Sequence, residues 1–324
     1  MSEQWKKAVI HLECATDSKS IYDRLNEEEE LDKKLRKGEI TSDEYREKTN
    51  FKSRDVRCQG TALFISHNGK RYLLTARHVL FDEISAKGLY DLEGRIVSEH
   101  PSDLKERSLS YAHKRSLNTI FNCIFRVPSL DEVLSGRNAE NRESLNCLGS
   151  GLPDSLPYIF SPPELDLAII SLDNRRNEYF ANELEELGYS PIPSNLIKDE
   201  PSKEGADIFT IGFPGAVSLL GKTNLDSASA HWASNYFSLP VFSWGKVSML
   251  HTQLPFYWCD MSIYPGNSGG PVIEDGNLVG VVSAQAVLPI EGLPQITTRI
   301  PFAKIIKTSY VKKLIEDQEA KEQK

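Results

Sequence analysis

Three residues far apart in the chain carry the side chains needed for nucleophilic acyl transfer: His78, Asp166 and Ser268. A serine hydroxyl attacks a carbonyl only when a nearby base takes its proton. An imidazole serves best when a carboxylate fixes its tautomer and stabilises its charged form. His78 ends an apolar run in Thr75–Ala76–Arg77–His78–Val79, Asp166 heads the run Leu165–Leu172, and Ser268 lies in Pro265–Gly266–Asn267–Ser268–Gly269–Gly270–Pro271. The glycines permit a turn tight enough to aim the Gly266 and Ser268 amides at one point, where they would hold the charge of a tetrahedral intermediate. Taken singly, these residues read as a strand-end histidine, a capping aspartate and a glycine-rich hairpin. Their joint occurrence, in this order and in these contexts, argues for a triad.

The elements that must position them are mostly strands. Gly60–Ser66 and Arg71–Ala76 are apolar runs joined through His67–Asn68–Gly69–Lys70, and Asn-Gly suits a two-residue hairpin turn whose central residues need positive φ. The second run delivers the chain to His78. Leu165–Leu172 predicts a buried strand just at Asp166, and Asp207–Phe213, Ser243–Leu250, Phe256–Ile263, Val272–Glu274 and Leu278–Ala284 predict the strands around Ser268. Ala8–Cys14 alternates like a further strand, and Asn118–Val127 is another, within a region 82–160 read chiefly as long loops. Phe302, Ile305, Ile306, Val311, Leu314 and Ile315 are spaced for an amphipathic C-terminal helix over 302–316, ahead of a charged tail at 317–324. The whole is mostly β.

One stretch breaks the pattern. Residues 17–54 are highly charged, with Ile21, Leu25, Leu31 and Leu35 at helical intervals and Gly38 placed to end the helix. Thr41 and Glu44 form a capping box. A helical hairpin of Ser20–Lys37 and Ser42–Lys48 is expected, as a solvated insertion first and a regulatory docking element second.

Composition narrows the setting. The 324 residues are 40% hydrophobic, enough for a substantial core, and Asp plus Glu exceed Lys plus Arg by 46 to 38, for a net charge of −8. A general nucleic-acid binder would be basic, so no nucleic-acid partner is expected. The N-terminal apolar segment is interrupted by His11 and Glu13, too polar for a signal-peptide core. No apolar run approaches the ~18 residues of a membrane span. Cys14, Cys58, Cys123, Cys147 and Cys259 are scattered without a Cys-x-x-Cys pair or a histidine–cysteine spacing for zinc. Reduced thiols in a cytoplasmic protein without metal or cofactor are the expectation.

The motifs resemble those of the trypsin-like peptidases, and the HtrA/Deg-type bacterial branch more than the digestive one. TARHV is similar to the family's histidine motif, LDLAII to its aspartate motif and PGNSGGP to its serine motif. FTIGFPG at 209–215, GKVSML at 245–250 and TRIPFAKII at 298–306 add weaker likeness, so that it covers residues 1–316. The resemblance implies two six-stranded antiparallel β-barrels, the first over about 1–180 and the second over about 200–300, with the helical hairpin inserted in the first. The cleft between them would be the active site of a serine endopeptidase acting through a covalent acyl-enzyme on a protein or peptide substrate.

By the same resemblance Asn267 joins Gly266 and Ser268 in the oxyanion hole. Ser283–Ala284–Gln285 would pair with substrate backbone, and Ser262, Ile263 and Gln285 would wall the specificity pocket. Asn267 stands where digestive relatives carry an aspartate that pairs with a newly cut N-terminus, so activation by such a cut is not expected. No acidic residue lies near Ser262, which leads to a small or medium uncharged side chain before the scissile bond. The chain stops soon after the second barrel, with no PDZ domain expected. The long insertions raise a regulatory protein partner as a further expectation, and a non-catalytic trypsin-like binding module is the alternative.

Overall fold

The computed structural model describes residues 2–17, 21–49, 54–83, 86–88, 122–128, 130, 143–148, 156–174, 178–215, 219–222 and 236–323. The chain opens with a short helix α1 (Ser2–Lys6) and strand β1 (Val9–Asp17), then the helices α2 (Ile21–Arg36) and α3 (Ser42–Thr49). Strands β2 (Arg54–His67) and β3 (Lys70–Ala76) follow, then a single helical turn α4 (Arg77–Leu80) and strands β4 (Asn122–Pro128), β5 (Glu143–Leu148), β6 (Tyr158–Phe160) and β7 (Leu167–Ser171). Helix α5 (Glu178–Glu186) and the short β8 (Ile192–Pro193) lead into β9 (Asp207–Gly212), β10 (Leu219–Lys222), β11 (Tyr236–Ser238) and β12 (Val241–Met249). The chain closes with β13 (Phe256–Cys259), β14 (Pro271–Glu274), β15 (Asn277–Ile290), β16 (Leu293–Lys307) and helix α6 (Ser309–Glu322).

The protein is mostly β, and its strands form two main bodies. In the C-terminal half, β12-β13-β16-β15-β14-β9 close into a six-stranded barrel. In the N-terminal half the sheet runs β5-β4-β1-β2-β3-β7-β6, with β8 parallel to β2, and among the described residues its path is open. The β2–β3 turn forms as its sequence demands, with Asn68 at φ +49 and Gly69 at φ +78.

Two adjacent strands show why their sequences are continuously apolar. Leu73 and Ile170 face the core of the N-terminal sheet, with Ile10, Leu12, Phe64, Tyr158 and Phe180. Leu74 and Ile169, one residue away, face the opposite side. Successive side chains on a strand alternate faces, so a strand covered on both sides must be apolar throughout. The second face packs Val9, Leu63 and Tyr72 against Ile211, Phe213, Val281 and Ile306 of the barrel and against Val311, Leu314 and Ile315 of α6. Each such fully buried aliphatic side chain contributes about 1.5–3 kcal/mol. A shared apolar layer therefore locks the two halves together and seats the helix on both.

Several expectations are corrected. Phe302, Ile305 and Ile306 belong to β16, not to a helix starting at 302, and α6 takes in most of the expected tail. The apolar spacing fitted a helix, but β16 finds backbone partners in both β13 and β15, and Ala303 and Ile305 fill the barrel core. Within the region read as loops, β5 pairs along its length with β4, and β6 with β7. Cys58, Cys14 and Cys123, scattered in sequence, occupy one rung across β2, β1 and β4.

The inserted hairpin forms as α2 and α3. The Thr41 amide donates to the Glu44 carboxylate at 2.8 Å, the Glu44 amide donates to Thr41 Oγ1 at 3.2 Å, and Gly38 ends α2 at φ +73. Helix α3 buries no residue. Among the described residues no helix is long and apolar enough to cross a membrane.

Candidate active site

The histidine is positioned by the register between β3 and β7. Ala76 pairs with Leu167, which sets Asp166 beside the first residues of α4. The Arg77 amide donates to the Asp166 carbonyl at 3.0 Å, and the His78 amide donates to Asp166 Oδ1 at 3.0 Å. Val79 and Leu80 are buried beneath the turn, while the Arg77 guanidinium lies 3.9 Å from the Phe81 ring centroid and 5.6 Å from that of Phe160. The helical turn is thus pinned on both sides before the His78 side chain is considered.

Asp166 itself is held in an uncommon backbone conformation. Its φ is +46, in the left-handed region that side chains other than glycine visit rarely. The Pro162–Pro163 turn imposes it: the Leu165 amide donates to the Pro162 carbonyl, and the Leu167 amide to Ser161 Oγ at 2.8 Å. Such strain is concentrated at functional sites. The carboxylate receives three donors: the His78 amide, His78 Nδ1–H at 2.8 Å, and the Ser283 hydroxyl at 2.5 Å. With Nδ1 carrying the proton that bonds Asp166, Nε2 is the basic nitrogen. Asp166 is largely shielded and His78 half exposed, as an oriented base requires.

The serine turn lies between β13 and β14. Gly266 has φ +105 and Gly269 φ +84. A Cβ on Gly266 would stand 2.1 Å from the Phe213 carbonyl oxygen, and one on Gly269 2.1 Å from that of Thr61. Neither position tolerates any other residue without moving backbone. The Gly269 amide donates to the Val282 carbonyl and the Val282 amide to that of Gly270, tying the turn to β15.

Asn267 corrects the expected oxyanion hole. Its amide donates to the Tyr264 carbonyl at 3.0 Å, and its side-chain Oδ1 accepts from the Tyr264 amide at 3.1 Å. The Asn267 amide is spent on closing the turn and cannot receive an oxyanion. Among the described residues, the Gly266 and Ser268 amides have no acceptor.

One cleft of about 370 Å³ gathers His78, Gly266, Ser268, Ile263, Ser283, Ala284 and Gln285. Ser262, expected to wall the specificity pocket, is exposed and is not among the residues lining the cleft. Ser283, expected to pair with substrate backbone, lines the cleft; its hydroxyl donates to Asp166 and its carbonyl accepts the Ser268 hydroxyl at 3.4 Å. Sequence reasoning missed Thr61, Tyr264 and Arg299. The last two line the cleft, and Thr61 lies beneath the serine turn. Among the described residues no three His, Cys, Asp or Glu side chains are grouped to hold a metal ion.

Against known families, a trypsin-like peptidase domain matches residues 60–281. The chain belongs to this family. No curated protein matches it closely enough to add to that assignment. The matched stretch of the trypsin-like domain spans His78, Asp166 and Ser268, and begins at Gly60, where a Cβ would meet Val79 at 2.5 Å and the Ser268 carbonyl at 3.2 Å. Strand β1, most of β15, all of β16 and helix α6 lie outside the match.

Proposed function

We propose that this trypsin-like peptidase is a serine endopeptidase in which His78 is the general base, Asp166 orients it and Ser268 is the nucleophile. What carries the reading is the pair of hydrogen bonds that His78 donates to the Asp166 carboxylate, through ring and backbone amide, beside the cleft that holds Ser268. His78 Nε2 takes the Ser268 proton as Oγ attacks the scissile carbonyl. The developing oxyanion is received by the Gly266 and Ser268 amides, and His78 then gives its proton to the leaving amine. Water, deprotonated in turn by His78, hydrolyses the acyl-enzyme. For attack, the Ser268 hydroxyl turns from the Ser283 carbonyl to His78; such bonds often tighten only in the substrate complex.

The finer placements are part of the same proposal. The open N-terminal sheet wraps its core as the family's first barrel. The neutral Asn267 turn, closed by its own hydrogen bonds, fits the HtrA/Deg branch better than one activated by a cut N-terminus. A cytoplasmic setting suits the buried Cys259 thiol, which burial pushes up to about 12 and keeps protonated.

A fluorophosphonate probe tests the reading. Labelling of the wild type that is lost in Ser268→Ala supports it; no labelling, with or without cell extract, would sink it in favour of a binding module. The resting bond from Ser268 to Ser283 favours a second reading, a regulatory protein partner that completes the site, and labelling only after extract is added would select it.

A further inference from the structure

The cleft carries a charge that the proposed chemistry does not use. Of the described residues lining it, only His78 and Arg299 have basic side chains, and none is a carboxylate. Arg299 lies on β16 directly opposite Val287 of β15, and both reach the cleft from the section of the β15–β16 ribbon that stands outside the barrel core.

Arg299 is also uncommitted. Arg71 is bound by Asp173, Arg77 covers Phe81, and Arg36 pairs with Asp32. Lys304, nearby on the same strand, lies 4.9 Å over the Phe256 ring. Among the described residues Arg299 has neither an ion-pair nor a hydrogen-bond partner, although the chain has an excess of carboxylates that could supply one.

Its place along the cleft gives the charge a direction. On the mechanism above, His78 hands its proton to the leaving amine, so the portion released first lies on the His78 side of Ser268. The wall formed by β15 starts at Ser283, whose carbonyl accepts the Ser268 hydroxyl. It runs through Gln285, which donates to the Ile300 carbonyl, to Val287 opposite Arg299; on this proposal it flanks the acyl portion. We propose that Arg299 selects an aspartate or glutamate side chain within the acyl portion, close to the scissile bond, so that this protein is an acidic-residue-specific endopeptidase. A planar guanidinium grips a carboxylate with two parallel hydrogen bonds, while the buried Ile263 supplies an apolar wall for the methylene stem. The inference rests on the endopeptidase reading and replaces the uncharged side chain expected from the residues around Ser262.

The test uses internally quenched peptides that differ by one Glu→Gln change at each of the three residues preceding the cut. Wild-type protein should favour Glu at one of them by about tenfold in kcat/KM, as a charge-assisted pair implies, with the preference shrinking at high salt. Arg299→Gln should abolish the preference, and Arg299→Glu should turn it towards lysine, a gain that a misfolded variant would not produce. Equal rates on Glu and Gln peptides, or a preference that survives in Arg299→Gln, would overturn the inference while leaving the triad standing. If wild-type protein neither cuts nor labels, the endopeptidase reading fails, and the subsite is read by calorimetry on Ser268→Ala protein. There, tighter binding of the Glu peptide that is lost on adding Arg299→Gln upholds the anionic site, and equal affinity for both peptides overturns it.

Discussion

Thr61 and Ser268 are joined across the boundary between the two halves: the Thr61 amide donates to the Ser268 carbonyl at 2.8 Å. The Thr61 hydroxyl donates to the Gly266 carbonyl at 2.8 Å and accepts from the Phe213 amide at 3.1 Å. The Thr61 carbonyl accepts the Thr75 hydroxyl at 2.8 Å. Thr75 stands on β3, three residues before His78. The strand pair that leads into His78 therefore also grips the turn that carries Ser268, and one buried threonine transmits the position of each half to the other.

Replacing Thr61 by valine keeps the shape and removes the hydroxyl. The Gly266 carbonyl and the Phe213 amide would then be buried without that partner, at a cost of about 1–3 kcal/mol for each group left unsatisfied. Urea unfolding should show Thr61→Val less stable by at least about 1 kcal/mol, with kcat lowered as the serine turn loosens. Thr61→Ser, which restores the hydroxyl, should recover most of both. Equal stability of valine and serine variants would mean the hydroxyl holds nothing.

Asp166→Asn preserves size but replaces an acceptor with a donor facing His78 Nδ1, forcing the imidazole towards the wrong tautomer. We expect kcat to fall by about four orders of magnitude with KM little changed. Ser283→Ala removes one of three donors to the carboxylate and should cost about tenfold, since the two bonds from His78 remain. Steady-state kinetics on one peptide substrate separate the two. A Ser283→Ala loss as large as that of Asp166→Asn would show that the serine hydroxyl, not the His78 bonds, fixes the carboxylate.

Legibility from sequence followed the range of the interactions. The Asn68–Gly69 turn and the Thr41–Glu44 capping box are decided within four residues, and both formed as expected. The three motifs around His78, Asp166 and Ser268 were legible for a similar reason, since each is a short stretch whose backbone needs are local. Helix and strand over residues 302–307 were not distinguishable, because the choice rests on backbone partners in β13 and β15. The rung of Cys58, Cys14 and Cys123 depends on strand register, which no spacing along the chain reveals. Asn267 was assigned to the oxyanion hole because the Tyr264 carbonyl that takes its amide is placed by the folded turn alone. Arg299 escaped notice because it reaches the cleft from the far arm of a ribbon whose length was invisible in Leu278–Ala284.

Gly266 offers a test of the oxyanion assignment that spares the triad side chains. Alanine there would place Cβ 2.1 Å from the Phe213 carbonyl oxygen at a φ of +105, shifting the amide, and proline would remove the amide altogether. Both should lower kcat by at least about a hundredfold. Gly38→Ala shares the positive φ but meets nothing within 4 Å, so it should cost only about 1 kcal/mol of stability and leave kcat alone. Wild-type kcat in Gly266→Pro would remove Gly266 from the oxyanion hole.

Acid should weaken the joint between the halves through His11. The ring is buried, its centroid lies 5.1 Å from that of Phe213, its Nε2 has no partner among the described residues, and His11 pairs in register with Thr61. Glu13, 3.6 Å away, would favour the charged ring, but burial outweighs it and lowers the pKa from 6.5 to about 4. The folded state resists protonation while the unfolded chain binds a proton readily below 6.5. The stability due to neutral His11 is therefore complete above pH 6.5 and is lost as the pH falls towards 4, to a total of about 3 kcal/mol. His11→Leu removes the titration while keeping an apolar side chain of similar size in the site. Between pH 6.5 and 5, above the range where ordinary carboxylates titrate, the wild-type Tm should fall while that of His11→Leu stays nearly level. Parallel curves over that interval would show that His11 does not govern the acid response.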